Sequence, residues 1–81
     1  MIRIKPYTTT DGDLVAVQLD VKEANISDVS VDAIWTLYDK DGNHVNDGRL
    51  QLADGDFVAY RQTTGYLEKY VMEVKGLEYE D

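Results

Sequence analysis

Apolar and polar positions alternate most cleanly where Val15, Val17, Leu19 and Val21 share one face of an extended chain and Ala16, Gln18, Asp20 and Lys22 the other. A period of two held over this length predicts a half-buried strand at 14–22. Upstream, Ile2 and Ile4 alternate with Arg3 and Lys5, and Pro6 confines this segment, 2–7, to a strand end or a sheet edge. The polar run 8–13 between the two reads as a turn. Residues 23–28 connect onward, with Ile26 as an anchor. A third alternating set, Val29, Val31, Ala33, Trp35 and Leu37, predicts a strand at 29–39. Its other face turns apolar at Ile34 and Tyr38, so this strand is covered on both sides there or meets a partner.

Asp41-Gly42 then reverses the chain, since both residue types tolerate the backbone of a tight hairpin. The return strand, 44–52, offers Val45, Leu50 and Leu52 to the interior. Val45 has the wrong parity for the other two, which places a register-resetting bulge at Asn46-Asp47-Gly48. Beyond Leu52 the period changes. Asp54-Gly55-Asp56 suits the start of a short helical turn carrying Phe57 and Tyr60, and Leu67, Tyr70, Val71 and Val74 fall at helical spacing. Thr64 is the expected N-cap, and Gly76-Leu77 the expected C-terminal cap, of a helix at about 65–75. A strand carrying Tyr66, Tyr70, Met72 and Val74 on one face is the competing reading, and it would bury Glu68. Strands followed by a closing helix make an α+β fold: a small antiparallel sheet or half-sandwich of about four strands with the helix on its open face. An all-β sandwich is the alternative.

Length and composition narrow the function. At 81 residues the chain is one domain, and a domain this small buries only about 60–65% of its unfolded surface, so assembly would add stability. It contains no cysteine, which excludes disulfides, thiolate zinc sites and thiol nucleophiles. Sixteen acidic side chains against eight basic ones give a net charge of −8, a poor match to nucleic-acid phosphates or anionic membranes. No apolar run approaches the ~18–20 residues of a membrane span, and no signal-peptide pattern opens the chain, so secretion by a signal peptide is not expected.

Candidate chemistry is sparse. His44, the single histidine, follows a hairpin turn, where a solvated strand residue is expected. Ser27 and Ser30 do not lie in the strained strand-to-helix turn that presents a nucleophile. Asp39-Lys40-Asp41-Gly42-Asn43 has carboxylates close together, but its glycine is fourth and Leu50 occupies the twelfth position, where a calcium loop needs its bidentate glutamate. Gly48, Gly55 and Gly65 stand alone, so there is no phosphate-cradling loop. The expectation is a non-enzymatic protein with no catalytic residue, metal or cofactor. Trp35 and Phe57 are core candidates beneath the helix, beside Leu67, Val71 and Val74. Tyrosine combines a large apolar body with a polar tip and suits contact with another protein. Ile34, Tyr38, Tyr60 and Tyr66 are the expected contact residues, with Arg3 and Lys5 available to acidic turns of a neighbour.

The run from Trp35-Thr36-Leu37-Tyr38-Asp39-Lys40-Asp41-Gly42-Asn43 through Asp47-Gly48-Arg49-Leu50-Gln51-Leu52, then Gly55-Asp56-Phe57, Tyr66-Leu67 and Val74-Lys75-Gly76-Leu77-Glu78, resembles small proteins encoded among the structural genes of tailed bacteriophages. The shared features are an aromatic strand, an Asp-Gly hairpin, an alternating return strand, an acidic-aromatic turn and a closing helix. Tyr60 stands where a tryptophan is usual. The resemblance implies a virion structural or assembly-associated protein, located in a virion or the host cytoplasm, that binds copies of itself and other virion proteins. It transfers no active-site residue. From charge and size, the alternative is an acidic inhibitor that mimics DNA and binds a host defence enzyme, which requires carboxylates regularly spaced on one surface.

Overall fold

The computed structural model describes residues 1–9 and 14–80. Of the turn expected at 8–13, residues 10–13 lie outside the described residues, as does Asp81, and Thr8 belongs to the first strand instead. Four strands, β1 (Ile2–Thr8), β2 (Val15–Ala24), β3 (Ser30–Tyr38) and β4 (His44–Ala53), precede two helices, α1 (Asp54–Gln62) and α2 (Tyr66–Lys75). The strands form one antiparallel sheet in the order β1-β2-β3-β4, so each neighbour in sequence is a neighbour in space. This is an α+β fold, and residues 66–75 are helical.

β3 is an interior strand and gives the core more residues than any other element. Val31, Ala33, Trp35 and Leu37 alternate onto the buried face, where Leu19 and Leu52 join them from β2 and β4. Phe57 from α1 and Leu67, Val71 and Met72 from α2 belong to the same cluster, with Ile4, Ala16 and Leu77, so both helices cover the same face of the sheet. The period-two pattern of β3 and the near-3.6 spacing of α2 thus meet in one apolar layer.

Several expectations are corrected. Val74 is 52% exposed and Met72 takes its place in the core, because α2 is rotated toward its Met72 side. Val15 is exposed and Val17 half-buried, while Ala16, expected on the polar face, is fully buried in the core, where the register of β1 against β2 shifts between Arg3 and Tyr7. Ile26 is exposed and does not anchor the β2–β3 connection, and Val29, expected on the inward face of the third strand, is exposed just before it begins; Ser27 organises that turn, its hydroxyl accepting from the Val29 and Ser30 N–H groups. The β4 bulge lies at Val45, one residue before the expected place: Leu37 faces Asn46 while Tyr38 faces His44, leaving Val45 extra. Phe57 and Tyr60 sit on a full helix, α1, rather than a single turn.

The N-cap of α2 is Gly65, at φ 80° with no side-chain cap, not Thr64. Its C-terminus is the expected Gly-Leu cap: Gly76 sits at φ 69°, the Gly76 N–H reaches the Glu73 carbonyl (3.3 Å), and the Leu77 N–H the Met72 carbonyl (2.8 Å). Leu77 is buried, and the chain beyond it runs along the outer edge of β1. There the Lys5 N–H bonds the Glu78 carbonyl (2.8 Å) and the Glu80 N–H the Arg3 carbonyl (3.1 Å), with Ile4 opposite Tyr79. The β1 edge is therefore covered by the chain's own residues 78–80. Among the described residues, nothing covers the outer edge of β4 in this way.

Candidate functional site

The face of the sheet turned away from the helices is built from the residues that strand alternation sends outward. Strand register sets them in rows. Gln18, Tyr38 and His44 form one; Asp20, Thr36 and Asp47 the next; Lys22, Ile34 and Arg49 the third; Ala24, Asp32 and Gln51 the last. Ile34, Thr36 and Tyr38 run down the middle, each half-buried by its neighbours. An anionic pair, Asp20 and Asp47, flanks Thr36, and a cationic pair, Lys22 and Arg49, flanks Ile34. The aliphatic stems of Lys22 and Arg49 can lie against Ile34 while their charges reach water.

Asp32 is the buried member of this face, 8% exposed, and accepts a hydrogen bond from Asn25 Nδ2 at 2.8 Å. Arg49 Nη1 stands 3.9 Å from its carboxylate, and Lys22 Nζ 3.9 Å from Asp20. His44 Nε2 and Asp47 Oδ2 are 2.9 Å apart on the surface. These pairs link the polar groups to one another, and neither helix covers the outward side chains of β3.

Tyr60 and Tyr66 lie elsewhere. They border an open cleft of about 600 Å³ between the C-terminal half of β2 and the α1–α2 turn, with Val21, Glu23, Thr64 and Leu67. The Tyr66 hydroxyl donates to Asp56 Oδ1 (3.0 Å) and its ring meets Tyr70 at 6.3 Å. That bond to a carboxylate, with partial desolvation and nearby negative charge, pushes the Tyr66 hydroxyl pKa above its ordinary value. The four expected contact residues therefore form two pairs: Ile34 with Tyr38 on the helix-free face, and Tyr60 with Tyr66 at the cleft. Arg3, one of the two cationic candidates, lies against Glu80 (3.8 Å), and the Lys5 side chain is exposed.

The 39–43 hairpin directs its chemistry inward. Asp39 Oδ1 accepts from the Asp41 and Asn43 N–H groups, both at 2.9 Å, and Oδ2 from Asn43 Nδ2 at 3.4 Å. The Asn43 N–H is the main reason that the Asp39 carboxyl is held below its ordinary value; partial desolvation opposes this, and the Asp41 N–H reinforces it. A carboxylate whose oxygens serve its own turn is a staple of the hairpin. Among the described residues, no three histidine or carboxylate side chains are grouped to hold a metal ion. No helix among them is long and apolar enough to cross a membrane.

The chain matches no family model, no curated protein and no solved structure. Its function is therefore read from its own surface. Sequence reasoning found Ile34 and Tyr38 from the apolar turn in the outward face of β3. It missed the charged rows beside them, since rows exist only once register is known and the pairing of Asp20 with Asp47 across Thr36 has no signature in local sequence.

Proposed function

We propose that this chain is a non-enzymatic protein–protein interaction module, a structural or assembly-associated protein of tailed-bacteriophage particles that binds copies of itself and other virion proteins. The observation that carries the reading is the helix-free face of the sheet, where Ile34 and Tyr38 flank Thr36 along an interior strand and charged rows rim them. An apolar centre with a polar rim is the composition of a protein contact patch. The Tyr60–Tyr66 cleft supplies a second, smaller contact region. The assignment to phage particles rests on the resemblance carried by residues 35–78.

Quantitative mass spectrometry of density-gradient particles and of their assembly intermediates tests the reading. The chain is expected at a fixed copy number in one of these fractions, and Ile34→Asp, which leaves the helix-side core untouched, is expected to remove it. Particles and intermediates free of the chain, with the chain recovered on a host nuclease instead, would overturn the assignment in favour of the DNA mimic.

A further inference from the structure

We infer that two copies of this chain pair through their β4 edges, antiparallel about a two-fold axis at Gly48, to make one continuous eight-stranded sheet. This rests on the reading of the chain as a self-associating module and names the surface and register by which it associates. The two edges of the sheet are not equivalent. That of β1 is occupied around Arg3–Lys5 by residues 78–80, whereas β4 ends the sheet with ten residues and, among the described residues, no neighbour beyond them. An edge strand of this length presents a row of free N–H and C=O groups and pairs with another strand unless something blocks it.

Common blocking devices are weak on β4. It contains no proline, and its bulge lies at Val45, near its start, leaving 46–53 regular. The Asp47 N–H is held by the adjacent Asn46 Oδ1 (2.9 Å), a local partner that a neighbouring strand can replace. Strand alternation then turns the N–H and C=O groups of Asp47, Arg49 and Gln51 to the open side.

Charge selects the register. A two-fold axis perpendicular to the sheet keeps both helix layers on one side, so residues of like parity must oppose one another. Centring on Asp47 sets Asp47 against Asp47 of the second copy, and centring on Arg49 repeats the conflict with arginines. Centring on Gly48 sets Asp47 opposite Arg49 twice, once on each side of the axis. Both side chains are exposed, at 63% and 61%, and both face the helix-free side. The cationic row Lys22-Ile34-Arg49 of one copy then runs into the anionic row Asp47-Thr36-Asp20 of the other, and the two Ile34-to-Tyr38 stripes become parts of one larger contact face. Directly opposed unlike charges favour a strand pair, and like charges disfavour it.

Sedimentation velocity at physiological salt tests the pairing, because screening then limits the long-range repulsion of two acidic chains. The wild type is expected to dimerise at micromolar concentration. Asp47→Lys and Arg49→Glu each place like charges opposite one another and are expected to weaken the dimer about tenfold or more, whereas mixing the two variants restores unlike pairs and a heterodimer. Because Arg49→Glu meets Asp32, disulfide trapping gives an independent measurement in a chain that lacks cysteine. Mixed D47C and R49C chains are expected to cross-link under mild oxidation, and D47C alone is not, since disulfides demand adjacent Cα positions.

Equal cross-linking of D47C alone, or a dimer unaffected by Asp47→Lys, would overturn the pairing. A wild type that stays monomeric while present in particles would overturn it too, and would leave the interaction-module reading standing.

Discussion

Trp35 and Gly48 face each other across β3 and β4, and their contact gives the sharpest stability prediction. A Cβ built on Gly48 would lie 2.4 Å from Trp35 Cζ2, 2.7 Å from Cε2 and 2.9 Å from Nε1. None of these atoms belongs to a flexible tip. The ring is 6% exposed and is held from above by Lys75 Nζ, 4.3 Å from its centroid. Gly48→Ala must therefore displace a packed indole, and overpacking of this kind costs up to about 3 kcal/mol. Opposing it, alanine restricts the unfolded chain and returns about 0.4–1 kcal/mol, because Gly48 has no positive φ to lose.

The net expectation is a loss of about 2 kcal/mol. A domain of 81 residues has about 4–12 kcal/mol in all, so the loss is a substantial fraction. It corresponds to a fall in Tm of about 8–16 °C. Trp35 is the chain's single tryptophan, so its fluorescence during urea unfolding reports the site directly. The measurement is made where the midpoint no longer varies with protein concentration, which removes any contribution from association. A phenyl ring in place of the indole lacks the Nε1 and Cζ2 atoms of the clash. In a Trp35→Phe background, followed by circular dichroism, the cost of Gly48→Ala should therefore shrink by about 1 kcal/mol or more. A Gly48→Ala protein as stable as the wild type, with no coupling to position 35, would refute the argument.

Two further perturbations probe other parts of the molecule. Met72→Ala should cost about 2–4 kcal/mol and Val74→Ala less than about 0.5 kcal/mol in denaturant melts, because only Met72 is in the core; similar losses at both would place the α2 face wrongly. The folded-state pKa of Asp39 is lowered, so its contribution is present above its ordinary value of 3.8 and is lost as pH falls through the lower folded value. The Tm gap between wild type and Asp39→Asn should accordingly be full at neutral pH and narrow under acid, and a gap independent of pH would contradict the hairpin staple.

The strands were legible because Val31, Ala33, Trp35 and Leu37 alternate without interruption and a strand buried on one face can hold only one register. The Gly-Leu cap was legible because few residues other than glycine take the left-handed turn at position 76. The exact face of α2 was not: Met72 and Val74 are both apolar, and which enters the core depends on how the helix rolls against Trp35 and Leu37. Thr64 has ordinary capping chemistry, yet the tight α1–α2 turn requires the positive φ that Gly65 supplies. At the surface, Ile34 and Tyr38 stood out as apolar residues in polar positions. Their separation from Tyr60 and Tyr66 did not, since sequence distance says nothing about which side of a sheet a helix crosses.

The strip of chain that borders β1 is joined to it across nearly the whole sequence, so a nascent chain on the ribosome acquires it only after the meander and both helices have emerged. Until then each growing polypeptide offers an unshielded strand to its neighbours on the same polysome. A stop codon just after Gly76 would make that transient exposure permanent, and would turn the closed pair proposed above into an open-ended fibre.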